Sequence, residues 1–556
     1  MLLGPEEAPR VPADRPGTEP APGPRGLLVL AVLGTALRLA LVVSGWCDNR
    51  VVADDAFYYF TIARNLAAGH GATFDGLAPT NGFHPLWLLL LTPVFAFARA
   101  VGAGSWSAVH MALALCAGFD LLSGILLARL LRRCGAPHGA IAAAAVWFLS
   151  PFTVLLSLRG MESALTVSLF AIWITLVAGA FGAREGGSSG ARPGEPPGPG
   201  SGARIGLVTG LAFLARTDNG PLLGFVLAAL TLVAAFRSGR WARAIGFLVA
   251  AGMVAAIVTS PWFLWNLAVF GSPWQVSGAV KLQNPQVFGH VPGDPANLFR
   301  FFWAFVWVPA YFAAGESMKH RTAFLVLATA EWLVIGALLP ALAFALARAR
   351  ERAARVVAAA LALDLLAHAA VYTFVLRSYV VWYATVPTFA VVTLFAGLAA
   401  DPVLRRLGSA ARSAVAAACV AVALATYAQY FTATHVRPRG EEMIVRPILT
   451  KIARFAPGVR TVGVFNAGAA GYFAPEIGPF RVVNLDGLVN NEAAGAWRQG
   501  RYLEYLSGHV DVVIDDADGT LNFLLGPGQR TRFDARYPRW SPGSLICGPS
   551  LQRPVR

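Results

Sequence analysis

Apolar runs of roughly twenty residues, separated by short polar stretches that carry arginine, recur along most of the chain. That length is what a helix needs to cross a hydrocarbon core, about 20 residues at 1.5 Å per residue. The pattern predicts spans over residues 27–46, 107–128, 139–158, 163–182, 205–217, 220–236, 244–266, 321–347, 356–376, 379–398 and 413–432. Arginine clusters punctuate these runs: Arg129-Arg132-Arg133, Arg184-Arg192-Arg204, Arg237-Arg240-Arg243, Arg348-Arg350-Arg352-Arg355 and Arg405-Arg406-Arg412. Placing each cluster in the cytoplasm by the positive-inside bias gives about 11 spans, with the N-terminus inside and the C-terminus outside. The scheme requires the apolar segment 86–101 to lie in or dip into the outer interface as a helix and not to cross. Residues 27–46 read as a retained anchor, because bulky Trp46 follows Ser44-Gly45 where a leader cleavage site needs small residues.

Beyond residue 433 the pattern changes. The runs 461–465, 481–485 and 510–514 are short and apolar and read as buried strands, with helical pieces between them. The expected architecture is a polytopic α-helical membrane protein with a C-terminal extracytoplasmic α/β domain. Residues 1–25, rich in Pro, Gly, Arg and Glu, form a disordered cytoplasmic tail. Residues 26–432 form the transmembrane module and 433–556 the α/β domain. Within the module, 47–106 is a first external loop with interfacial helices, and 184–204 a flexible cytoplasmic linker. Residues 267–320 make an external loop that roofs a site. The expected location is the cell's inner (plasma) membrane.

Composition agrees. Of 556 residues, 56% are hydrophobic and only 13% charged, against about 25% charged in soluble domains. The net charge of +15 does not point to nucleic acid. The basic residues sit in short clusters between apolar runs, which is a topological pattern and not one basic face. The five cysteines show no metal-ligand spacing; Cys47 and Cys547 fall on the same side, and a bridge between them is one arrangement the topology permits. No GxGxxG and no GxxxxGK[ST] occurs, so no nucleotide-phosphate cradle is present.

The candidate chemistry lies in residues 48–87. There, after the first span, come Asp54 and Asp55, the aromatic run Phe57-Tyr58-Tyr59-Phe60, then Arg64, His70, Asp75, Asn81 and His84. Two close carboxylates resist joint ionisation, so one suits general-base work. The same pair also suits oxygen ligation of a divalent metal, or capping of a helix over 56–67. The aromatics would anchor that helix at headgroup level, where a lipid-linked substrate meets water. Further ionisable residues sit at the outer ends of spans: Arg159 with Glu162, Arg216 with Asp218, and Arg377 near Tyr379 and Tyr383. Charges placed there against the positive-inside bias are functional candidates, or else local ion pairs. Arg377 has no local carboxylate and is the best phosphate ligand, with Lys281 next.

The order of a first span, a loop with Asp54-Asp55-Ala56-Phe57 and Ala63-Arg64-Asn65-Leu66-Ala67-Ala68-Gly69-His70-Gly71, Phe74-Asp75 and then interfacial helices resembles the GT-C membrane glycosyltransferases. The bacterial branch that includes arabinofuranosyltransferases is the most similar. Arg159-Gly160-Met161-Glu162-Ser163, the Arg216–Asp218 turn, Pro261-Trp262 through Phe270-Gly271-Ser272-Pro273 to Lys281, and Asn484-Leu485-Asp486-Gly487-Leu488 extend the resemblance over most of the chain. The stretch Asn81–Trp87 departs from the arabinofuranosyltransferase pattern. The resemblance implies a polyprenyl-phosphate sugar donor, a glycan or lipid acceptor, and Asp54 or Asp55 as base. Arg377, Lys281 and Arg159 would then bind the donor phosphate, with Tyr58, Arg64, His84, Glu162, Arg216 and Asp218 lining the pocket. No cofactor is firmly expected. Two other readings are a flippase or transporter of lipid-linked glycans, which would want charges within the spans, and a non-catalytic glycan-binding membrane protein.

Overall fold

A computed structural model describes residues 24–48, 50–182, 194–283, 351–376, 381–435, 441–514, 520–525, 528–538 and 546–547. The helices are α1 (Pro24–Val43), α2 (Asp54–Ala67), α3 (Pro85–Ala100), α4 (Ser105–Arg133), α5 (Pro137–Leu149), α6 (Pro151–Ser157), α7 (Ser163–Phe181), α8 (Pro199–Ala215), α9 (Asn219–Ser238), α10 (Trp241–Phe270) and α11 (Val276–Gln283). They continue with α12 (Arg352–Ala370), α13 (Thr385–Val392), α14 (Asp401–Arg406), α15 (Ser409–His435) and α16 (Glu441–Phe455). Among the described residues seven helices are long and apolar enough to cross a membrane: those within α1, α4, α7, α9 and α10, and the stretches Arg352–Val375 and Trp382–Arg406. The pair α5 and α6, bent by 58°, makes an eighth if it is one span. α8 and α15 occupy the positions expected of two more, and 321–347 lies outside the described residues.

The α5–α6 bend follows from Pro151, which has no N–H for the Trp147 carbonyl and blocks a continuous helix. The freed carbonyls find other donors. Arg38 of α1 reaches Phe148 O at 2.9 Å and Trp147 O at 3.1 Å, and Thr153 Oγ1 donates to Trp147 O at 2.7 Å. The buried Arg38 also pairs with Asp120 at 2.7 Å. This mid-span ion pair therefore splices a broken helix.

α8 meets α10 along a glycine stripe. A Cβ at Gly202 or Gly206 would stand 2.3 Å from Phe247 O or 2.2 Å from Ala251 O. Small residues every fourth position let two helix backbones touch, which is the packing used between helices in lipid.

The C-terminal region adds β1 (Thr461–Val464), α17 (Gly468–Ile477), β2 (Arg481–Asn484), α18 (Asn491–Arg498), α19 (Tyr502–His509), β3 (Val512–Ile514), α20 (Thr520–Leu525), α21 (Gln529–Arg536) and β4 (Ile546–Cys547). The sheet order is β2-β1-β3-β4, with β1 parallel to β2 and β3, and β4 antiparallel on β3. The three expected strands are present; β4, two residues long, is too short to show a sequence period. Cys47 is a free, buried thiol, and the side chain of Cys547, its candidate partner, lies outside the described residues.

Candidate active site

α2 starts at Asp54, with Ala53 as its N-cap residue and no side-chain cap. The chain is fixed just before it: the Ala53 N–H donates to the Arg159 carbonyl at 3.1 Å. Trp87 Nε1 donates to the Gly160 carbonyl at 3.3 Å. Gly160 has φ +77°, and a Cβ there would lie 2.9 Å from Ala56 and 2.8 Å from Phe60. The Arg159–Glu162 turn thus packs directly on the first two turns of α2.

Neighbouring residues on a helix point about 100° apart, and the two aspartates serve different partners. Asp54 faces the C-terminal domain. Its carboxylate accepts the Gly468 N–H at 3.0 Å and the Ala469 N–H at 2.7 Å, the first donors of α17. It is a cap, but for a helix more than 400 residues away, and it meets the positive end of that helix. Contact is close enough that a Cβ at Gly468 would sit 2.1 Å from Asp54 O. One turn on, Tyr58 Oη accepts from Ala467 N–H at 2.9 Å and Asn484 Nδ2 at 3.1 Å, and donates to Asp486 Oδ2 at 3.2 Å. Arg64 donates to the Tyr472 carbonyl at 2.9 Å and lies 4.6 Å over the Tyr472 ring. Tyr58 and Arg64, expected in a substrate pocket, therefore stand with Asp54 in the junction between the two parts of the chain.

Asp55 faces the other way. Its Oδ2 lies 3.9 Å from Lys281 Nζ, and Lys281 donates to Tyr383 Oη at 3.2 Å. Tyr383 stacks on Tyr372 at 5.0 Å, and the Arg216 guanidinium sits 4.1 Å over the Tyr383 ring. Arg216 bridges two carboxylates, with Nε 2.9 Å from Asp218 and Nη1 3.2 Å from Glu162. Tyr372 Oη donates to Asp218. His84 Nε2 approaches Glu162 at 3.8 Å, and the His84 backbone N–H donates to Tyr59 Oη at 3.3 Å. Five segments distant in sequence thus converge on one polar network. Within it, Glu162 Oε2 and His84 Nδ1 are buried with no hydrogen-bond partner. Arg159 places its guanidinium 5.7 Å over Trp382. Arg377 lies outside the described residues.

Burial raises the Asp55 pKa above the usual carboxylate range; Lys281 opposes that shift and Glu162 adds to it. The driver is burial rather than repulsion from Asp54. Burial lowers the His84 pKa, so its imidazole is neutral at pH 7. At Lys281 burial pulls the other way, but Tyr383 and Asp55 together raise the ammonium pKa.

Asn81 sets the register of the Lys281 helix. Fully buried, it donates to Asn266 Oδ1 at 3.0 Å and to the Trp274 carbonyl at 3.2 Å. Its Oδ1 accepts from the Val276 N–H, which opens α11, at 3.0 Å. Sequence reading missed Asn266 and Tyr372. A lone amide inside a 30-residue apolar helix was the available signal for Asn266; Tyr372, in an apolar run, reads as core.

The aspartate pair does not fit a divalent cation. Both Asp54 oxygens accept backbone N–H groups, and an ammonium stands beside Asp55 where a second positive charge would have to sit. Among the described residues no group of three or more His, Cys, Asp or Glu side chains converges as metal ligands would.

No protein-family model and no curated protein matches the sequence. Solved structures do match. An Archaeoglobus fulgidus oligosaccharyltransferase solved with Zn and sulfate aligns with TM-score 0.53 at 14% identity, over 94% of this chain and 73% of that one. The archaeal oligosaccharyltransferase AglB from the same organism, in complex with an inhibitory peptide and a dolichol-phosphate, aligns with TM-score 0.52 at 12% identity, over 95% and 75%. At this identity the likeness is one of fold, and it agrees with the expected polytopic helical architecture with a C-terminal α/β domain.

Proposed function

We propose that the chain is a membrane glycosyltransferase. In this reading it moves a pentose or hexose from a polyprenyl-phosphate donor to a glycan or lipid acceptor of the cell envelope, at the extracytoplasmic face. The observation that carries the reading is the half-buried Asp55–Lys281 pair, 3.9 Å apart at the end of a network of three further ionisable groups. The acceptor oxygen attacks the anomeric carbon, the bond from that carbon to the phosphate oxygen breaks, and its electron pair leaves on the polyprenyl phosphate. Asp55 takes the hydroxyl proton. One displacement inverts the anomeric centre. The raised pKa of Asp55 makes it a better proton acceptor than a solvated carboxylate. Lys281 and Arg159 offset the charge on the leaving phosphate, joined by Arg377. The open hydrogen-bonding atoms of Glu162 and His84 suit sugar hydroxyls.

A fold shared with an oligosaccharyltransferase captured with a dolichol-phosphate supports a lipid phosphate as donor. Buried mid-span charges, which a flippase would need, occur at Arg38 and Asp120, taken up at the helix break, and at Asp364 and His368, which pair with each other at 3.2 Å. The test is sugar transfer by the purified protein in nanodiscs, with polyprenyl-phosphate pentoses and hexoses as donors. Asp55→Asn is expected to lose about 10²–10⁴-fold of turnover, the range a general base contributes. Full turnover in that variant rules Asp55 out as the base.

A further inference from the structure

A cavity of about 400 Å³ opens between the first external loop and the C-terminal domain. It lies within the range of small-molecule sites, about 300–1,000 Å³. Its walls are residues 74–79 on one side, and β2, the β2–α18 loop and α19 on the other.

The wall chemistry is mixed and close to neutral. Asp75 and Glu492 bring carboxylates, and Arg481 brings a guanidinium 3.8 Å from Asp75. Such a balance favours neither a phosphate nor a metal cation. Hydrogen-bonding groups of both kinds remain open. Asn491 donates its amide N–H to Asn81, but its Oδ1 is buried and has no partner. Tyr505 Oη accepts from Asn490 at 2.8 Å, which leaves its own hydrogen to give. Burial pushes the Tyr505 pKa up to about 12, so that hydrogen is kept at neutral pH. His509 is stacked on Tyr505 at 4.4 Å, and its Nδ1 meets the Tyr505 carbonyl at 2.9 Å. A carbonyl can only accept, so Nδ1 carries the proton and Nε2 is an acceptor in the neutral ring. Phe74 adds an apolar surface.

Donors alternating with acceptors beside aromatic rings match vicinal hydroxyls set on an apolar sugar ring. A peptide is disfavoured. β2 is the edge strand, yet the outward carbonyl of Asn484 is already taken by Asn490 Nδ2 at 2.9 Å, which blocks strand addition.

The cavity is tied to the elements that carry Asp55 and Lys281. Asn81 Oδ1 accepts both from Asn491 in the cavity wall and from Val276 at the start of α11. Asn484, also in the wall, donates to Tyr58 on α2. We propose that this junction cavity is a carbohydrate subsite that takes one or two neutral sugar units of the acceptor glycan. The proposal rests on the glycosyltransferase reading for its place in the reaction, but binding alone tests it.

The full chain in nanodiscs is titrated with neutral methyl glycosides and short oligosaccharides of mannose, glucose, galactose and arabinose. Saturation-transfer NMR and calorimetry read binding, with inorganic phosphate and an acceptor-type peptide as controls. Two variants leave the fold alone: Leu77→Trp, which fills the cavity from an exposed loop position, and Glu492→Gln, also exposed. Binding of at least one glycoside is expected, weakened at least tenfold by Leu77→Trp and about 3–10-fold by Glu492→Gln, the difference between a charged hydrogen bond and a neutral one. Asp55→Asn should bind as wild type. The proposal is overturned if no glycoside binds at millimolar concentration, if Leu77→Trp binds undiminished, or if phosphate or peptide competes for the site. Donor turnover measured on the same samples separates the two readings. Turnover without glycoside binding removes the subsite alone, whereas glycoside binding with full Asp55→Asn turnover removes the base alone.

Discussion

Asp54→Ala should loosen the C-terminal domain and leave the chemistry largely in place, the reverse of Asp55→Asn. The Asp54 carboxylate holds two N–H groups of α17, at 3.0 and 2.7 Å. A hydrogen bond to a charged group contributes about 1.5–3 kcal/mol, and loss of an N-cap typically costs about 1 kcal/mol. Two bonds from one half-buried carboxylate therefore suggest a local loss of about 3 kcal/mol. At 1.4 kcal/mol per tenfold, amide exchange at Gly468, Ala469 and Ala470 should quicken by about 100-fold. Hydrogen-exchange mass spectrometry of the full chain reads this directly, with α7 amides as an internal reference that stays constant. Turnover should fall by less than about tenfold, against the 10²–10⁴-fold of a lost general base. Unchanged exchange at 468–470 together with a turnover loss equal to that of Asp55→Asn would refute the division of labour between the two acids.

Burial raises the Asp55 pKa and Lys281 restrains it. A base works only when deprotonated, so kcat/KM should rise with pH through a midpoint above that of an ordinary carboxylate. Lys281→Met should move that midpoint higher still and Glu162→Gln lower it, read from pH–rate profiles; a midpoint unmoved in both variants would show that another group titrates. Arg216→Met strips the cation from two carboxylates, one of them 1% exposed. Breaking a buried pair on one side costs about 3–5 kcal/mol, so thermal unfolding in nanodiscs should shift down by several degrees, and an unchanged midpoint would mean that the carboxylates are solvated.

How much could be read beforehand depended on how local each cause is. Spans and strands announce themselves because lipid and sheet cores act on every residue of a run. The break at Pro151 is not in that reading, since hydropathy alone shows 139–158 as one span. That Arg38 fills the break could not be read, since its partners lie more than 100 positions away. The aspartate pair stood out in the sequence as candidate chemistry. Its split did not, because helical period alone says that adjacent residues diverge, without saying which side the C-terminal domain takes. Likewise Arg216 and Asp218, two residues apart, were legible as a pair, whereas the Glu162 contact spans 54 positions.

The split also gives a reason for two acids standing side by side. A helix that must be clamped on one face and reactive on the next can do both in a single turn if each face receives its own carboxylate. Asp54 sets its charge against fixed N–H dipoles; Asp55 faces Lys281, and under the proposed function its charge serves the pocket. Because the clamp is at the first residue of α2, the lever arm between docking and the proposed base is one residue long. Any rocking of the C-terminal domain against α2 therefore reaches Asp55 almost undiminished. The Asn81 link transmits the same motion to Lys281 through Val276. Occupancy of the junction cavity, which touches both Asn491 and Asn484, would stiffen the two supports together. Sugar binding there should then slow exchange at Gly468–Ala470 in the wild type, and fail to do so in Leu77→Trp.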